Sequence, residues 1–548
     1  MLARALLISA LGLSLVGCPA GSDEPEIAAP SKPVVSRSTS AAVGAMAGAA
    51  PTVAATVDGK APQLDACGAL LDSNNRCGPV KELSAQIPGD VCLPEGVVEP
   101  NSASVEHLAW KTFVALNWPV TPQGVPASDG PLVADHAPGG HAVAWETWRS
   151  PPELLQLLRA NEGMVSKADW STPADLPEAC NAKAGSLLLE QTATVSDAVA
   201  ALLPEVTAHV NGGPAVDQNG RPVLVETRMN RTMWDVVVSG GWYEPGSSPR
   251  GLQFPNNHGD TAYGVGAMAV QAAWVILDAV EEGDASMRVR TAYVYQEGNE
   301  HRSAVCDEVL VGLVALQIGH KAAAGDDTWV WSVFEHSAVA PLDDNGPSRE
   351  YMFQTTGCAE LGGDVCADVV PGSATEAARC CPNTDLHGRL GPKDRLSDDR
   401  TPTHLTRLDA WTDSSSCTEH YRKALAGTPW SNFALIGAQW WENEEAETLQ
   451  FGPRPRTLRS LVLEPWATRW VPEGQDTVSS CIGCHQAGDD GVFFLKPLRQ
   501  AIAADAEAPS QPSEGAQAEP AEEPAPATPA EGSDQESASP SEPTSAPE

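Results

Sequence analysis

Near the end of the 548-residue chain stands Ser479-Ser-Cys-Ile-Gly-Cys-His-Gln-Ala-Gly488, where Cys481, Cys484 and His485 have the spacing C-x-x-C-H. Two thiols at this spacing can add to the two vinyl groups of one haem, leaving two thioether bonds. The next residue then reaches the iron as an axial ligand through a neutral imidazole nitrogen. A composition of 13 Cys and 12 His yields only roughly 0.007 such motifs by random order, so chance does not explain it. A C-x-x-C redox pair with an incidental His485 is the competing chemistry. It calls for a βαβ unit ahead of the pair, and the sequence shows none. One more structural disulfide is the third reading.

A haem at this place needs a housing. No Met follows His485, and fewer than twenty residues of foldable chain remain beyond it. The covering surface must therefore come from upstream, because an exposed macrocycle would leave a large apolar area in water. Distal-ligand candidates in that upstream region are Met229, Met233, Met268, Met352, His258, His301, His320 and His336. His336 ends the apolar run "TWVWSVFEH" beside Glu335, and is the candidate chosen; an iron with no distal protein ligand is the alternative. Arg454 and Arg456, with Arg459 just upstream and Lys496 and Arg499 just downstream, are possible partners for the haem propionates. Trp466 and Trp470, four apart, can pack on a porphyrin or simply line a core.

The elements that must position these groups read as α+β: a mainly antiparallel β core with flanking helices, and the haem segment at the C-terminal end of the folded region. Val105, Leu108, Ala109, Phe113 and Leu116 keep helical spacing until Pro119. Ser150-Pro-Pro-Glu153 opens a second helix, with Ser150 as cap and Glu153 completing a capping box, running to about Arg159. From 221 to 336 the β-branched and aromatic runs "RPVLVETR", "WDVVVSGGWY", "AMAVQAAWVIL", "RVRTAYVYQEG", "VLVGLVALQIG" and "TWVWSVFEH" read as strands, although "AMAVQAAWVIL" fits a helix equally. The expected organisation is a signal peptide over 1–17 and a flexible linker over 18–56. Cysteine-containing loops follow at 57–100, then a globular domain at 101–340. A cysteine-rich loop insertion spans 341–425, the haem segment 426–502, and a disordered acidic tail 503–548. That tail carries eleven acidic residues, no basic ones and no aromatic ring, so it cannot bury a core.

Arg4 precedes an apolar run from Ala5 to Val16 that is too short to span a bilayer, which marks a signal peptide. The ending Leu15-Val-Gly-Cys18 resembles a bacterial lipobox. The resemblance implies acylation of Cys18 after cleavage, and Pro19 in the next place implies the outer membrane. The net charge of −38 excludes nucleic acid as a partner. Once Cys18, Cys481 and Cys484 are set aside, an even number of cysteines remains, which suits disulfides in an oxidising compartment; a zinc site among Cys358–Cys417 is the alternative. The hydrolase, metalloprotease, P-loop and dinucleotide motifs are missing, as is a second C-x-x-C-H.

Cys481, Cys484 and His485 resemble the attachment site of c-type cytochromes. "AWKTFVALNWP", "WVWSVFEH", "ALIGAQWW" and "SSCIGCH" together are similar to a family of large bacterial cytochrome-c-like lipoproteins. That resemblance implies one covalent haem c over roughly residues 105–500 and gives no substrate. The expectation is a membrane-tethered, exported monohaem cytochrome that transfers single electrons to an unknown redox partner and has no catalytic residues. Two alternatives stand beside it. One is a haem enzyme or gas-binding sensor with an open distal site. The other is a lipoprotein that binds a partner or polysaccharide and carries haem peripherally.

Overall fold

A sixteen-residue strand, β5 (Val305–His320), is the spine of the protein. Its second half is buried on both faces, and the sequence "VGLVALQIGH" has the near-continuous apolar character that double burial demands. We describe the chain from a computed structural model covering 77–80, 82–91, 102–121, 125–127, 141–172, 187–190, 215–247, 252–256, 264–279, 286–296, 303–322, 329–340, 351–353, 415–442, 452–454 and 460–463, with isolated positions at 174, 177, 180, 458, 481–482, 495, 498–499 and 502–503. The expected signal peptide over 1–17, Cys18 and the expected linker lie outside the described residues, as do 504–548 of the expected tail. The chain divides into two units, Met1–Ala503 and Ala504–Glu548.

Eight strands are described: β1 (Leu187–Glu190), β2 (Leu224–Met229), β3 (Met268–Leu277), β4 (Val289–Gln296), β5, β6 (Val330–His336), β7 (Phe433–Glu442) and β8 (Gly452–Arg454). Leu310–Gly312 of β5 pair with both β3 and β4, so these two lie on opposite edges of the spine. β6 takes over from β4 on the same edge, pairing with Ala315–His320. β7 then adds to β6, β8 to β7, and β2 to β3, all antiparallel; β1 pairs with β4 in parallel. The architecture is α+β with a mostly antiparallel sheet.

Among the described residues four helices flank it: α1 (Ser102–Leu116), α2 (Pro151–Ala160), α3 (Arg231–Ser239) and α4 (Ser415–Ala424). α1 and α4 cover one face, which we term the first. There Trp110 and Phe113 pack on Phe334 with ring centroids at 4.9 and 4.2 Å, and Trp110 stacks on Tyr421 of α4 at 5.2 Å. α2, α3 and short C-terminal segments cover the second face. α2 starts as its sequence dictates. Ser150 Oγ accepts from the Glu153 amide at 3.3 Å, and Glu153 Oε2 accepts from the Ser150 amide at 2.7 Å.

Three expectations need correction. "WDVVVSGGWY" is no strand but most of α3. Asn230 Oδ1 accepts the Met233 amide at 3.0 Å and caps the helix, and burial of Met233, Trp234, Val237 and Val238 on one side outweighs the β preference of the valine run. The helix stops at Gly240, where a Cβ would lie 2.1 Å from the Trp242 ring nitrogen. Of the two readings open for "AMAVQAAWVIL", the strand holds: it is β3. The sheet also reaches beyond 221–336, since β7 pairs with β6 across the intervening 341–425 stretch. Within that stretch α4 belongs to the core, with Cys417, Tyr421 and Leu425 buried, and is not part of a loop.

Two disulfides join distant parts, Cys77–Cys417 and Cys180–Cys306, with Cα separations of 4.9 and 4.8 Å. The first takes Cys417 out of any zinc set. Buried charge is paired. The Glu146 carboxylate accepts from Arg288 Nη2 at 2.9 Å, from Arg288 Nε at 3.1 Å and from Arg290. Burial alone would raise this carboxyl, but the two guanidinium groups hold it below the usual range. Glu226 accepts from Arg228 at 2.9 Å and from Trp274 Nε1 at 3.0 Å.

Candidate functional site

The register of the sheet places two rows of side chains on the second face. One runs Thr227, Gln271, Gln317, Val333, Gly437; the next runs Met229, Ala269, Gly319, Trp331, Gln439. Small residues at 269, 319 and 437 leave a shallow floor. Trp331 lies against it so closely that a Cβ on Gly319 would sit 3.0 Å from the indole ring.

Cys481 and Ile482 dock on this floor. The Cys481 thiol, 3 % exposed, donates to the Leu458 carbonyl at 3.5 Å and accepts from Gln317 Nε2 at 3.5 Å. The Ile482 amide donates to Gln439 Oε1 at 2.9 Å. Leu458 belongs to a segment fixed through β6: Glu335 Oε1 accepts from Ser460 Oγ at 2.8 Å and from the Leu461 amide at 2.7 Å. The walls are apolar, formed by Leu154 and Leu158 of α2, Met233 and Trp234 of α3, and Leu495 and Leu498.

Among the described residues here, Gln317 Oε1, Trp234 Nε1 and Arg499 Nη2 are buried without a hydrogen-bond partner. Arg499 spends its Nε on the Trp242 carbonyl at 2.7 Å, and burial lowers its pKa. The donor set suits a covalent haem: a buried thiol at the first position of the motif, an apolar enclosure, and an arginine N–H open to a propionate.

The sequence-predicted residues fare differently. Cys484, His485, Arg456, Arg459, Trp466, Trp470 and Lys496 lie outside the described residues, as do His258 and His301. Arg454 is in β8, its backbone opposite Trp440 at the edge of the sheet. His336 is not brought to Cys481. It packs edge-on to Phe433, whose core lies on the first face. Its Nδ1 accepts the Ala338 amide at 3.1 Å and its Nε2 lies 2.9 Å from the Ser286 carbonyl, so both ring nitrogens are engaged. His320 aligns with Met268 and Val330, which also belong to the first-face core; burial pushes its pKa down to about 4. Met352 packs near Leu461–Leu463 in a separate cluster. Met229 and Met233, both fully buried, share the cluster that holds Cys481.

Gln317, Gln439 and Gly319 were missed from sequence. The signal existed in "ALQIG" and "GAQWW", where an amide interrupts an apolar strand and, once buried, must find partners. No family model matches the chain, and neither does any curated protein or solved structure. No helix among the described residues is long and apolar enough to cross a membrane.

Proposed function

We propose that the protein is an exported, lipid-anchored monohaem cytochrome of the c type, holding one haem through Cys481 and Cys484, with His485 as proximal iron ligand and Cys18 as the acylated anchor. The single observation that carries the reading is the C-x-x-C-H motif whose first thiol is buried on a prepared floor. A bound haem supplies a one-electron couple at its iron. The chain does the rest. Gln317 Nε2 would hold the Cys481 sulfur, which as a thioether would no longer donate to the Leu458 carbonyl, and Gln439 fixes the backbone at Ile482. Leu154, Leu158, Leu495 and Leu498 exclude water, and a low local dielectric favours the less charged state of a cofactor.

On this reading Met233 of α3 or Met229 of β2 would supply a thioether ligand to the iron rather than the imidazole of His336, because both share the cluster of Cys481. Arg499 is the propionate partner, with Arg454 and Arg456 as further candidates. Replacing both Cys481 and Cys484 by Ala tests the attachment. Haem-associated peroxidase staining of the denatured polypeptide is expected in the wild type and lost in the variant. Staining that survives both replacements refutes the reading.

A further inference from the structure

We propose that Arg288 and Arg290 form a binding site for one small oxyanion, of the phosphate, sulfate or carboxylate class, at the start of β4. The inference is independent of the haem reading. Arg288 stands just before β4 and Arg290 two residues on, so both guanidinium groups leave one face of the strand. They converge on a single carboxylate. Glu146, in the turn Ala144–Thr147, accepts from Arg288 Nε at 3.1 Å, from Arg288 Nη2 at 2.9 Å and from Arg290. Arg288 Nη2 also donates to the His141 carbonyl at 2.8 Å. Its Nη1 is left buried without a hydrogen bond.

Two cations thus share one anion. Both guanidinium groups hold the Glu146 carboxyl below the usual range, so it is ionised and a surplus positive charge remains. The neighbouring ions do not offset it. Arg228 meets Glu226 at 2.9 Å and Glu153 at 3.5 Å, and Glu153 meets Arg149 at 3.6 Å, so these four balance among themselves. A buried charge without a counter-charge is costly. Water would satisfy the spare N–H groups but would not neutralise the charge; an oxyanion does both, and paired guanidinium N–H groups match its geometry. The Arg288 side chain is 0 % exposed and that of Arg290 17 %, so the solvent side of the site lies at Arg290 and Arg288 is its inner end. The net charge of −38 does not forbid this, because exposed carboxylates beyond about 10 Å are largely screened by salt.

The test is denaturant unfolding of the full chain, titrated with phosphate, sulfate or acetate at constant ionic strength set by sodium chloride, with calorimetry to read binding directly. Wild type is expected to show a saturable rise of the midpoint with at least one of the three. Saturation by phosphate and sulfate alone assigns a tetrahedral anion; saturation by acetate assigns a carboxylate. Arg290→Gln keeps Arg288 on Glu146 and is expected to weaken the binding about tenfold or more, the worth of one lost charge-assisted hydrogen bond. In Glu146→Gln the same anion should restore part of the lost stability, because it supplies the missing counter-charge; if that variant fails to accumulate, Arg290→Gln decides. No saturable response in wild type would overturn the site. An equal rise in wild type and Arg290→Gln would overturn it too, since that is the general effect of excluded anions on any fold.

Discussion

Glu106 gives the sharpest quantitative forecast. It sits on α1 at 4 % exposure, with no hydrogen bond or ion pair among the described residues, and burial pushes its pKa up to about 8. Unfolded, the carboxyl returns to about 4.5. The folded state therefore keeps a proton that the unfolded state releases. The group's contribution to stability is complete below about pH 4.5 and is lost as pH rises through 8. Each pH unit in that window costs about 1.4 kcal/mol, which totals roughly 3 kcal/mol by pH 7 and roughly 5 above pH 8. Glu106→Gln keeps the volume and removes the proton. Denaturant unfolding of both proteins at several pH values reads the difference directly. The variant should match wild type near pH 4.5 and gain steadily to about 3 kcal/mol at pH 7. A difference that stays constant across pH would refute the reasoning, since it would mean that Glu106 is ionised in the fold. The neighbouring His107 is held neutral as well, pushed down to about 4 by burial and by Lys111, with Nδ1 2.9 Å from the Tyr421 hydroxyl.

Other perturbations follow from the same structure. Glu146→Gln leaves Arg288, which is fully buried, without its counter-charge, and should cost about 3–5 kcal/mol in denaturant unfolding at neutral pH. Because Glu146 titrates below its unfolded value, that cost should fade as pH drops through the acid range; a cost unchanged down to pH 2 would count against the ion pair. Gly319→Ala puts a Cβ 3.0 Å from the Trp331 ring and should destabilise by about 1–3 kcal/mol, visible as a lowered denaturant midpoint; no change would mean that the indole is free to shift. Met233→Ala should open the iron of the haem-loaded protein to carbon monoxide, detected as a shifted absorption band, whereas His336→Ala should not. The reverse pattern would return the distal role to His336.

The helices α1 and α2 were legible because their signals are local: apolar spacing in one, a capping box with prolines in the other. Strands β2, β4, β5 and β6 were legible from β-branched runs, and the motif at Cys481 from spacing alone. α3 was misread because its cap, Asn230, stands outside the valine run that drew attention. The site was half hidden for a different reason. Gln317 and Gln439 are 122 residues apart in sequence and reach one Cys481–Ile482 segment only because β5, β6 and β7 are neighbours on the sheet, a long-range fact that no local pattern carries. His336 failed as a neighbour of Cys481 for the same reason: strand-end position is visible in sequence, but the face is not, and His336 alternates with Phe334, which packs on the first face.

The central claim is that Cys481 and Cys484 carry one covalent haem. The most direct measurement is the mass of the exported, denatured polypeptide together with its reduced absorption spectrum in alkaline pyridine. The account predicts a mass increased by one haem and the c-type spectrum of a porphyrin whose two vinyl groups are saturated. An unmodified mass with no such spectrum, in cells that attach haem to other exported proteins, would contradict it.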